Sequence, residues 1–444
     1  MDLRNIENLI EGKEWTRLRD LLREEPAPEV ADVLLELEKK ARVLLFRALP
    51  RTLSGEVFSC LETGTQNALL VELADEETRG LLAGMNPDDR AALLSELPGQ
   101  ATQKLLNLLG KEDLEEVRWL LGYPEESVGR TMTPDYVAVR PGWTVGRALD
   151  HIRRQGIDRE TINWVYVVDG SWRLLDALTL RTFIVTDPEK TVEEIMDHAF
   201  VGISVFEDRE EAVRAIQRHD LEALPAVDEE GVLAGIVTVD DMMDVAEREA
   251  TEDFHLYAAV RPLESGYRES SVWSLFAKRI PWLVILVFVG LVSSGVIEAF
   301  EETLAAAVAL AFFIPLLIDS GGNTGSQSAT LMVRAIATGD LRLGQWAKAI
   351  TKELAVGVSL GVALGLAAAV LGIFRGGAEI GAIVGLTMVA IVFVANLIGT
   401  ILPFALSKLR LDPAVASAPL ITTVVDAAGL IIYFSIATAI LATV

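Results

Sequence analysis

The chain is poor in the side chains that bind soft metal ions or form covalent cross-links. Cys60 is its only cysteine, and none of its four histidines follows His255. A single cysteine excludes a disulfide framework and fits a reducing cytosol. The later part of the chain also lacks the HExxH-type metal site of an intramembrane metalloprotease. We therefore expect a protein that is not an enzyme.

The chain also lacks the basic balance that a nucleic-acid partner needs. Its formal net charge is −25, and residues 271–444 contain nine Lys or Arg against nine Asp or Glu, so the acidic excess lies in residues 1–270. Such a domain repels nucleic acid and attracts cations. The first residues lack the apolar core of a signal peptide, which predicts that the acidic half stays in the cytoplasm.

Residues 1–125 show the pattern of short amphipathic helices. Apolar residues recur three and four positions apart, and prolines mark helix ends. Helix pairs repeated every few tens of residues predict an acidic, cytosolic α-helical solenoid. Asp88 and Asp89 follow Pro87 and are expected to cap a helix N-terminus; metal binding, above all by Asp89, is the alternative.

Residues 126–239 contain an internal repeat of alternating strands and helices. Asp169 and Thr179 of the first unit correspond to Asp228 and Thr238 of the second at one common offset. Each unit predicts the order strand, helix, strand, turn, strand, helix, which makes this segment an α/β domain pair.

The repeat resembles a tandem pair of cystathionine-β-synthase-type (CBS) domains. Such domains often bind adenine nucleotides through a Thr and an Asp three residues later. The resemblance implies that ATP could bind at Thr238 and Asp241, whereas Thr182 occupies the corresponding acidic position of the first unit. The sequence leaves ATP binding open.

Residues 240–272 form an acidic connecting (plug) segment that begins with a helix. The helix is expected at about 240–260, where in the sequence only Arg248 balances seven carboxylates, which are Asp240, Asp241, Asp244, Glu247, Glu249, Glu252 and Asp253. Like charges three and four residues apart destabilise a helix by a few tenths of a kcal/mol per pair. A solvated acidic face is one interpretation; the position before the first membrane span favours a helix that senses cations.

Residues 273–444 contain five apolar runs that are long enough to cross a bilayer. They lie at about 281–299, 304–337, 350–373, 380–406 and 415–442. Basic residues cluster at alternate ends of these runs, and they are Lys278, Arg279, Arg334, Arg342, Lys348, Lys352, Lys408 and Arg410. The five runs predict a five-helix, all-α domain in the cell membrane. The positive-inside rule then predicts that the N-terminus is cytoplasmic and the C-terminus extracytoplasmic.

Asp426 lies in the last apolar run with no basic residue near it in sequence. A carboxylate at bilayer depth costs roughly 2.5–3.5 kcal/mol on insertion scales, so the default hypothesis is a functional site on a watery path. Thr422, Gly429 and Tyr433 share its helical stripe. An acid that is hydrogen-bonded to a neighbouring helix is the alternative.

The second apolar run carries the polar string IDSGGNTGSQSAT. Asp319, Ser320 and Asn323 would join Thr422 and Asp426 as hydrophilic groups at membrane depth. Small-residue and polar stripes fit helix packing equally well when they stand alone. Combined with Asp426, they favour a pore.

Oxygen ligands without His or Cys suit Mg²⁺ or Ca²⁺ better than soft metals. Mg²⁺ gives up its water reluctantly and is usually held by few carboxylates. One aspartate per subunit, doubled by a two-fold axis, would hold a hydrated dication. Chemistry alone prefers Mg²⁺ only mildly.

The domain order, together with GGNTGSQSAT and PLITTVVDAAG, resembles the MgtE family of magnesium channels. The resemblance implies a Mg²⁺-selective homodimer with its pore along the dimer axis and Asp426 as the ion-selecting carboxylate. It also implies cytosolic Mg²⁺ sites that close the pore, matched here by Asp241, Asp244, Glu249, Glu252, Asp253 and Asp412. The chain departs from some relatives at Asp319, Ser326 and Ala418.

Two other classes of membrane protein are alternatives to this interpretation. An anion channel with CBS domains would be hindered by Asp426, which repels its ion. An ion-coupled secondary transporter of divalent cations, with broader selectivity that includes Co²⁺ and Mn²⁺, fits the same residues. The sequence leaves coupling open.

Overall fold

A computed structural model describes residues 3–61, 63–97, 99–263, 267, 270–341, 343–409 and 411–442. Arg342 and Arg410, two of the basic residues that predict the orientation, lie outside the described residues. The chain divides into two compact units, Met1–Glu249 and Ala250–Val444.

The first unit begins with a stack of short helices, as predicted for a solenoid. Among the described residues these helices are α1 (Leu3–Glu11), α2 (Trp15–Arg23), α3 (Ala27–Glu36), α4 (Lys39–Ala48), α5 (Arg51–Ser59), α6 (Thr63–Glu72), α7 (Asp75–Leu82), α8 (Pro87–Glu96), α9 (Gly99–Leu106) and α10 (Lys111–Leu120). Their apolar stripes share one core, in which the rings of Phe46 and Phe58 meet edge to face at 5.9 Å. Arg90 is buried and donates from Nε to the Leu82 carbonyl at 2.8 Å, which joins α8 to α7.

The α/β repeat follows, and both copies have the predicted order of elements. The first copy contains α11 (Val128–Thr131), β1 (Val137–Val139), α12 (Val145–Gln155), β2 (Trp164–Val168), β3 (Leu174–Thr179) and α13 (Leu180–Val185). The second contains β4 (Ile203–Ser204), α14 (Arg209–His219), β5 (Ala223–Val227) and β6 (Leu233–Thr238). In each sheet the first strand is parallel to the second, and the second is antiparallel to the third.

The two hairpin turns repeat the same side-chain chemistry. Asp169 Oδ1 accepts from the backbone N–H groups of Ser171 and Arg173, at 2.7 and 3.0 Å. Asp228 Oδ1 does the same for the backbone of Glu230 and Val232, at 3.0 and 2.8 Å. These aspartates stabilise the turn between the second and third strands of each sheet.

A helix that starts in the first unit leads into the second. It is α15 (Val239–Tyr257), and the described part of the second unit continues with α16 (Val272–Ala299), α17 (Glu301–Ala306), a 3-10 turn (Val308–Phe313), α18 (Ile314–Ala337), α19 (Trp346–Lys408) and α20 (Ala418–Leu441). By length and composition, four of the described helical segments could cross a membrane. Gly377 has φ 83°, which breaks the 63-residue α19 into arms 346–376 and 378–408. Counting the arms separately gives five apolar segments; that all five span stays a prediction.

Candidate cation sites

One face of α18 is polar and exposed within the single chain. Asp319, Asn323 and Gln327, each one helical turn apart, are exposed, whereas Thr324 and Ser328 are buried. Asn323 Nδ2 donates to Asp319 Oδ2 at 3.2 Å, so the amide and the carboxylate form one hydrophilic patch. In a membrane helix such a patch needs water or another polar surface beside it.

Ser320 contributes less to this face than the sequence suggests. Its side chain is half-buried, and Oγ donates to the Leu316 carbonyl of its own helix at 2.7 Å. The backbone bond satisfies its only proton. Ser320 therefore lies at the edge of the exposed patch, not at its centre.

Asp426 lies half-buried on α20 beside this patch. Its carboxylate makes no hydrogen bond or ion pair with the side chains that the structure describes, and Asp319 is near enough for the two charges to interact. Thr422, one turn before it, packs its methyl group against Gly322 and donates from Oγ1 to the Pro419 carbonyl at 3.0 Å. Of the predicted pore residues, the structure thus brings Asp319, Thr422 and Asp426 together where α18 meets α20.

Two other residues of the predicted Asp426 stripe serve helix packing instead. Gly429 packs against Ile318 and Ile391. Tyr433 is fully buried, and its hydroxyl donates to the Leu310 carbonyl at 2.9 Å, which satisfies backbone in the 3-10 turn. These two residues share the helical stripe of Asp426, but neighbouring helices cover the end of α20 that follows Asp426.

In the first unit, α8 and α15 border a cleft of about 350 Å³ that is rich in carboxylates. Its acidic lining consists of Asp88, Asp89, Glu96, Glu125, Glu126, Asp241 and Asp244, and its basic lining of Arg130, Arg209 and Arg248. Three of the predicted sensor residues, Asp89, Asp241 and Asp244, therefore share this cleft. We call it the acidic cleft.

Asp88 is the most unusual member of the acidic cleft. It is 8% exposed, and its Oδ1 has no hydrogen-bond partner among the described residues. Burial, and then the charges of Asp241, Asp89 and Glu160, raise the pKa of Asp88 well above its ordinary value. An unpartnered buried carboxylate is costly unless a proton or a cation neutralises it.

Asp241 and Glu160 show the same electrostatic stress. Burial raises the pKa of Asp241 to about 6, with further contributions from Asp240 and Asp89, although Thr238 Oγ1 donates to its carboxylate at 2.6 Å. Burial and the charges of Asp241 and Asp240 raise the pKa of Glu160 to about 7. The cleft therefore holds more negative charge than its surroundings stabilise.

The carboxylates of the cleft do not converge on a single point. Within the described part of the chain, no three His, Cys, Asp or Glu side chains gather closely enough to hold one metal ion. A cation in this cleft would therefore keep part of its own hydration shell or draw the carboxylates together.

The charge of Glu249 is paired with an arginine that is distant in the sequence. Arg209 of α14 donates from Nε to Glu249 Oε1 at 2.7 Å, so Arg248 is not the only cation that answers the acidic helix. The sequence missed this pairing because the two residues are 40 positions apart. The ion pair occupies the Glu249 carboxylate, which makes it a weaker candidate for Mg²⁺.

The other predicted sensor residues belong to the second unit. Glu252 and Asp253 are half-buried on the later part of α15. Asp412 is exposed, and its Oδ1 accepts from the Ala414 backbone N–H at 2.7 Å, which caps a 3-10 turn. Their role in sensing stays a prediction.

The predicted nucleotide residues differ between the two CBS units. Thr238 and Asp241 are hydrogen-bonded to each other in the second unit, whereas in the first unit Thr179 and Thr182 share a hydroxyl–hydroxyl contact of 3.1 Å. At these corresponding positions only the second unit has a carboxylate. Asp241 thus belongs to both the predicted nucleotide site and the acidic cleft.

The second unit is helical and apolar, and it carries acidic side chains on α18 and α20. It is joined to an acidic unit that contains a CBS pair. This combination is typical of a membrane transporter of cations. Three family models match the chain: the MgtE intracellular N domain at residues 25–126, the CBS domain at 127–186 and 192–248, and the MgtE divalent cation transporter at 314–436. The magnesium transporter MgtE of Thermus thermophilus is 40% identical over 436 residues, which cover 98% of this chain and 97% of that protein. The chain belongs to the MgtE family of magnesium transporters.

Two further comparisons cover nearly the whole chain and about half of it, respectively. The magnesium transporter MgtE of Bacillus subtilis is 33% identical over 98% of this chain and 99% of that protein. The crystal structure of the cytosolic domain of the Mg²⁺ channel MgtE in complex with ATP is 36% identical and superposes with a TM-score of 0.53, covering 55% of this chain and 100% of that one. These findings confirm the predicted family and fold class.

Proposed function

We propose that this protein is a Mg²⁺-selective channel that takes up Mg²⁺ across the cytoplasmic membrane and closes when cytosolic Mg²⁺ binds. The observation that carries the proposal is the exposed Asp319–Asn323 patch of α18 beside the half-buried Asp426. Carboxylate, amide and hydroxyl oxygens are the ligands that Mg²⁺ prefers. Asp319, Ser320, Asn323, Thr422 and Asp426 are the proposed pore residues.

The pore is proposed to lie between two copies of the chain. A polar patch that remains uncovered in one chain is satisfied when a second copy encloses a water-filled path against it. The two-fold axis would then place two Asp426 carboxylates around one hydrated ion. Two such charges repel by about 4 kcal/mol at 4 Å for an effective dielectric of 20, and a dication between them relieves that repulsion.

The acidic cleft is the proposed site of regulation. Asp88, Asp89, Asp241 and Asp244 bring more negative charge into the cleft than it can stabilise. Mg²⁺ would relieve this excess while it keeps part of its water, so the ion stabilises the compact arrangement over any looser one. Glu252, Asp253 and Asp412 are proposed to respond to the same ion in the second unit.

The end of the connecting helix provides a contact through which closure can act. In the second unit, the Tyr257 hydroxyl of α15 donates to the Ser326 carbonyl of α18 at 2.9 Å and also contacts the Thr330 hydroxyl. Ser326 follows Asn323 by three residues, which places this contact next to the polar patch. A helix held there would restrict the cytoplasmic end of the path.

Membrane topology and ATP binding are secondary parts of the proposal. The N-terminus is placed in the cytoplasm and the C-terminus outside, with five spans. Since the cytosolic domain of a related Mg²⁺ channel has been crystallised with ATP, ATP is proposed to bind at Thr238 and Asp241. Such a ligand would share Asp241 with the cation.

Flux measurements on the purified full-length protein in liposomes test the proposal. Mg²⁺ entry should proceed without a Na⁺ or H⁺ gradient, exceed Co²⁺, Mn²⁺ and Ca²⁺ entry, and vanish in Asp426→Asn. Glu298→Gln is the matched control, because Glu298 is an exposed acid at the end of α16. Entry that requires an imposed ion gradient would instead identify a coupled secondary transporter, and normal Mg²⁺ flux in Asp426→Asn would refute the pore.

A further inference from the structure

A single buried amide joins three helical segments of the second unit. Asn396, on the 378–408 arm of α19, is 1% exposed. Its Oδ1 accepts the hydroxyl proton of Ser328 on α18, and its Nδ2 donates to the Glu353 carbonyl on the 346–376 arm at 2.7 Å. One side chain thus fastens α18 to both arms of α19.

The backbones around this amide are too close to allow small adjustments. A Cβ added to Gly399 would lie 2.2 Å from the Gly325 carbonyl oxygen of α18, and one added to Gly357 would lie 3.1 Å from Asn396 Nδ2. Ser328, whose hydroxyl makes the bond to the amide, is three residues after Gly325. The hydrogen bond and the glycine crossing therefore fix the same stretch of α18.

The fastened face of α18 is opposite the face that is proposed to meet the ion. Ser328 and Asp319 are nine residues apart, which is two and a half turns of an α-helix, so their side chains leave the helix on opposite sides. Ser328 is buried and Asp319 is exposed, as this geometry requires. Rotation of α18 about its axis would break the Ser328–Asn396 bond and turn Asp319 and Asn323 away.

We infer that Asn396 is a positioning residue for ion selection: through Ser328 it sets the rotation of α18 and hence the spacing of Asp319 and Asn323 across the path. Asn396 does not touch the ion, because it is buried on the far side of α18. Within the bilayer a polar pair has few other hydrogen-bond partners. The Ser328–Asn396 bond therefore favours one rotation of α18 over other rotations that would bury similar apolar surface. The inference rests on the proposed path and adds a determinant of its selectivity.

The test compares ion selectivity in full-length protein reconstituted in liposomes. Ser328→Ala removes the hydroxyl with little change in volume, and Asn396→Leu keeps the size of the side chain. Both should lower the ratio of Mg²⁺ to Co²⁺ flux by roughly three- to tenfold, the range for losing one membrane hydrogen bond. Thr387→Val is the matched control, because Thr387 is fully buried on the same arm and its hydroxyl has no partner among the described residues.

A second measurement reports the rotation directly. In a Cys60→Ala background, which removes the only cysteine, Asn323→Cys should react with a charged, membrane-impermeant thiol reagent. Adding Ser328→Ala should slow this labelling and speed the labelling of Thr324→Cys, which is buried in the native packing. A purely structural loss would not move reactivity from one position to the next.

Several outcomes would overturn the inference. They are wild-type ion ratios in both variants, equal losses for all ions without a change in labelling, or the same effect in Thr387→Val. The proposed path is judged separately by Asp426→Asn. If that variant is inactive while Ser328→Ala keeps the native ratio, only the positioning role is wrong; if Asp426→Asn transports Mg²⁺, the path is wrong.

Discussion

Arg209 donates from Nε to Glu249 Oε1 at 2.7 Å, and their side chains are only 17% and 23% exposed. This pair ties α14 of the second CBS unit to the connecting helix. Removing one partner of a largely buried ion pair leaves an uncompensated charge, which costs more than an exposed pair would. Glu249 is therefore engaged in structure at a position where a free cation ligand was predicted.

Glu249 and Asp241 should respond differently to neutralisation. Glu249→Gln is expected to destabilise the first unit by about 1–3 kcal/mol, because the Arg209 charge loses its partner. In Glu249→Gln, the Mg²⁺ concentration that half-inhibits the channel should stay within about twofold of the wild-type value. In Asp241→Asn this concentration should rise about tenfold, which corresponds to roughly 1.4 kcal/mol. Thermal unfolding and patch recordings against cytosolic Mg²⁺ measure the two effects. Loss of inhibition in Glu249→Gln equal to that in Asp241→Asn would restore Glu249 as a ligand.

Asp88→Asn should stabilise the protein without Mg²⁺ and weaken its response to Mg²⁺. The variant removes a buried charge whose Oδ1 has no hydrogen-bond partner among the described residues, so the unfolding temperature in chelator should rise by about 2–4 °C. Added Mg²⁺ should then raise that temperature less than in the wild type. Asp20→Asn, at an exposed acid of α2, is the control and should change neither value. A lower unfolding temperature of Asp88→Asn in chelator would show that the native carboxylate is already compensated.

The acidic cleft should make stability depend on pH in one direction. Because the pKa of Asp241 in the cleft is raised to about 6 and that of Glu160, whose charge interacts with it, to about 7, these two groups bind protons more tightly in the folded protein than in the unfolded chain. Stability without Mg²⁺ should therefore fall as pH rises from about 4.5 through about 7, and then level off. Glu160→Gln should flatten the upper part of this curve, and saturating Mg²⁺ should flatten it in the wild type. Thermal unfolding between pH 5 and 8 measures it; stability that increases across this interval would contradict the assigned shifts.

Tyr257→Phe should weaken closure without changing the open pore. The variant removes only the hydroxyl that donates to the Ser326 carbonyl. A net loss of about 1 kcal/mol corresponds to a roughly fivefold increase in half-inhibiting Mg²⁺, with unchanged conductance. Phe254→Leu, at an exposed side chain of the same helix, is the control. If Tyr257→Phe closes at the wild-type Mg²⁺ concentration, the contact does not contribute to gating.

The periodic patterns of the chain predicted its architecture well. The common offset between Asp169 and Asp228 identified the CBS repeat, and the structure gives both units the same strand order and the same turn-stabilising aspartate. Local patterns succeed here because strand alternation and turn chemistry act over a few residues. The acidic helix after the repeat also follows from sequence, and it ends at Tyr257.

The candidate sites were predicted less completely. Asp88 could not be distinguished from its neighbour Asp89 in the sequence, since both begin the same helix, yet only Asp88 is buried without a partner for Oδ1. The helical stripe through Asp426 did not predict that Tyr433 is buried, with its hydroxyl donating to a carbonyl 123 positions away. Such contacts carry no local signal.

The sequence by itself determined which chemistry is present: an acidic half, an apolar half without His or Cys, and a carboxylate, Asp426, within the last apolar run. Helical periodicity further assigned each polar residue of α18 to a side of that helix. The tertiary structure alone decided which side is covered, because burial depends on segments that are distant in the chain. Asn396 covers Ser328 and leaves Asn323 exposed on the opposite side, and packing between helices made that choice.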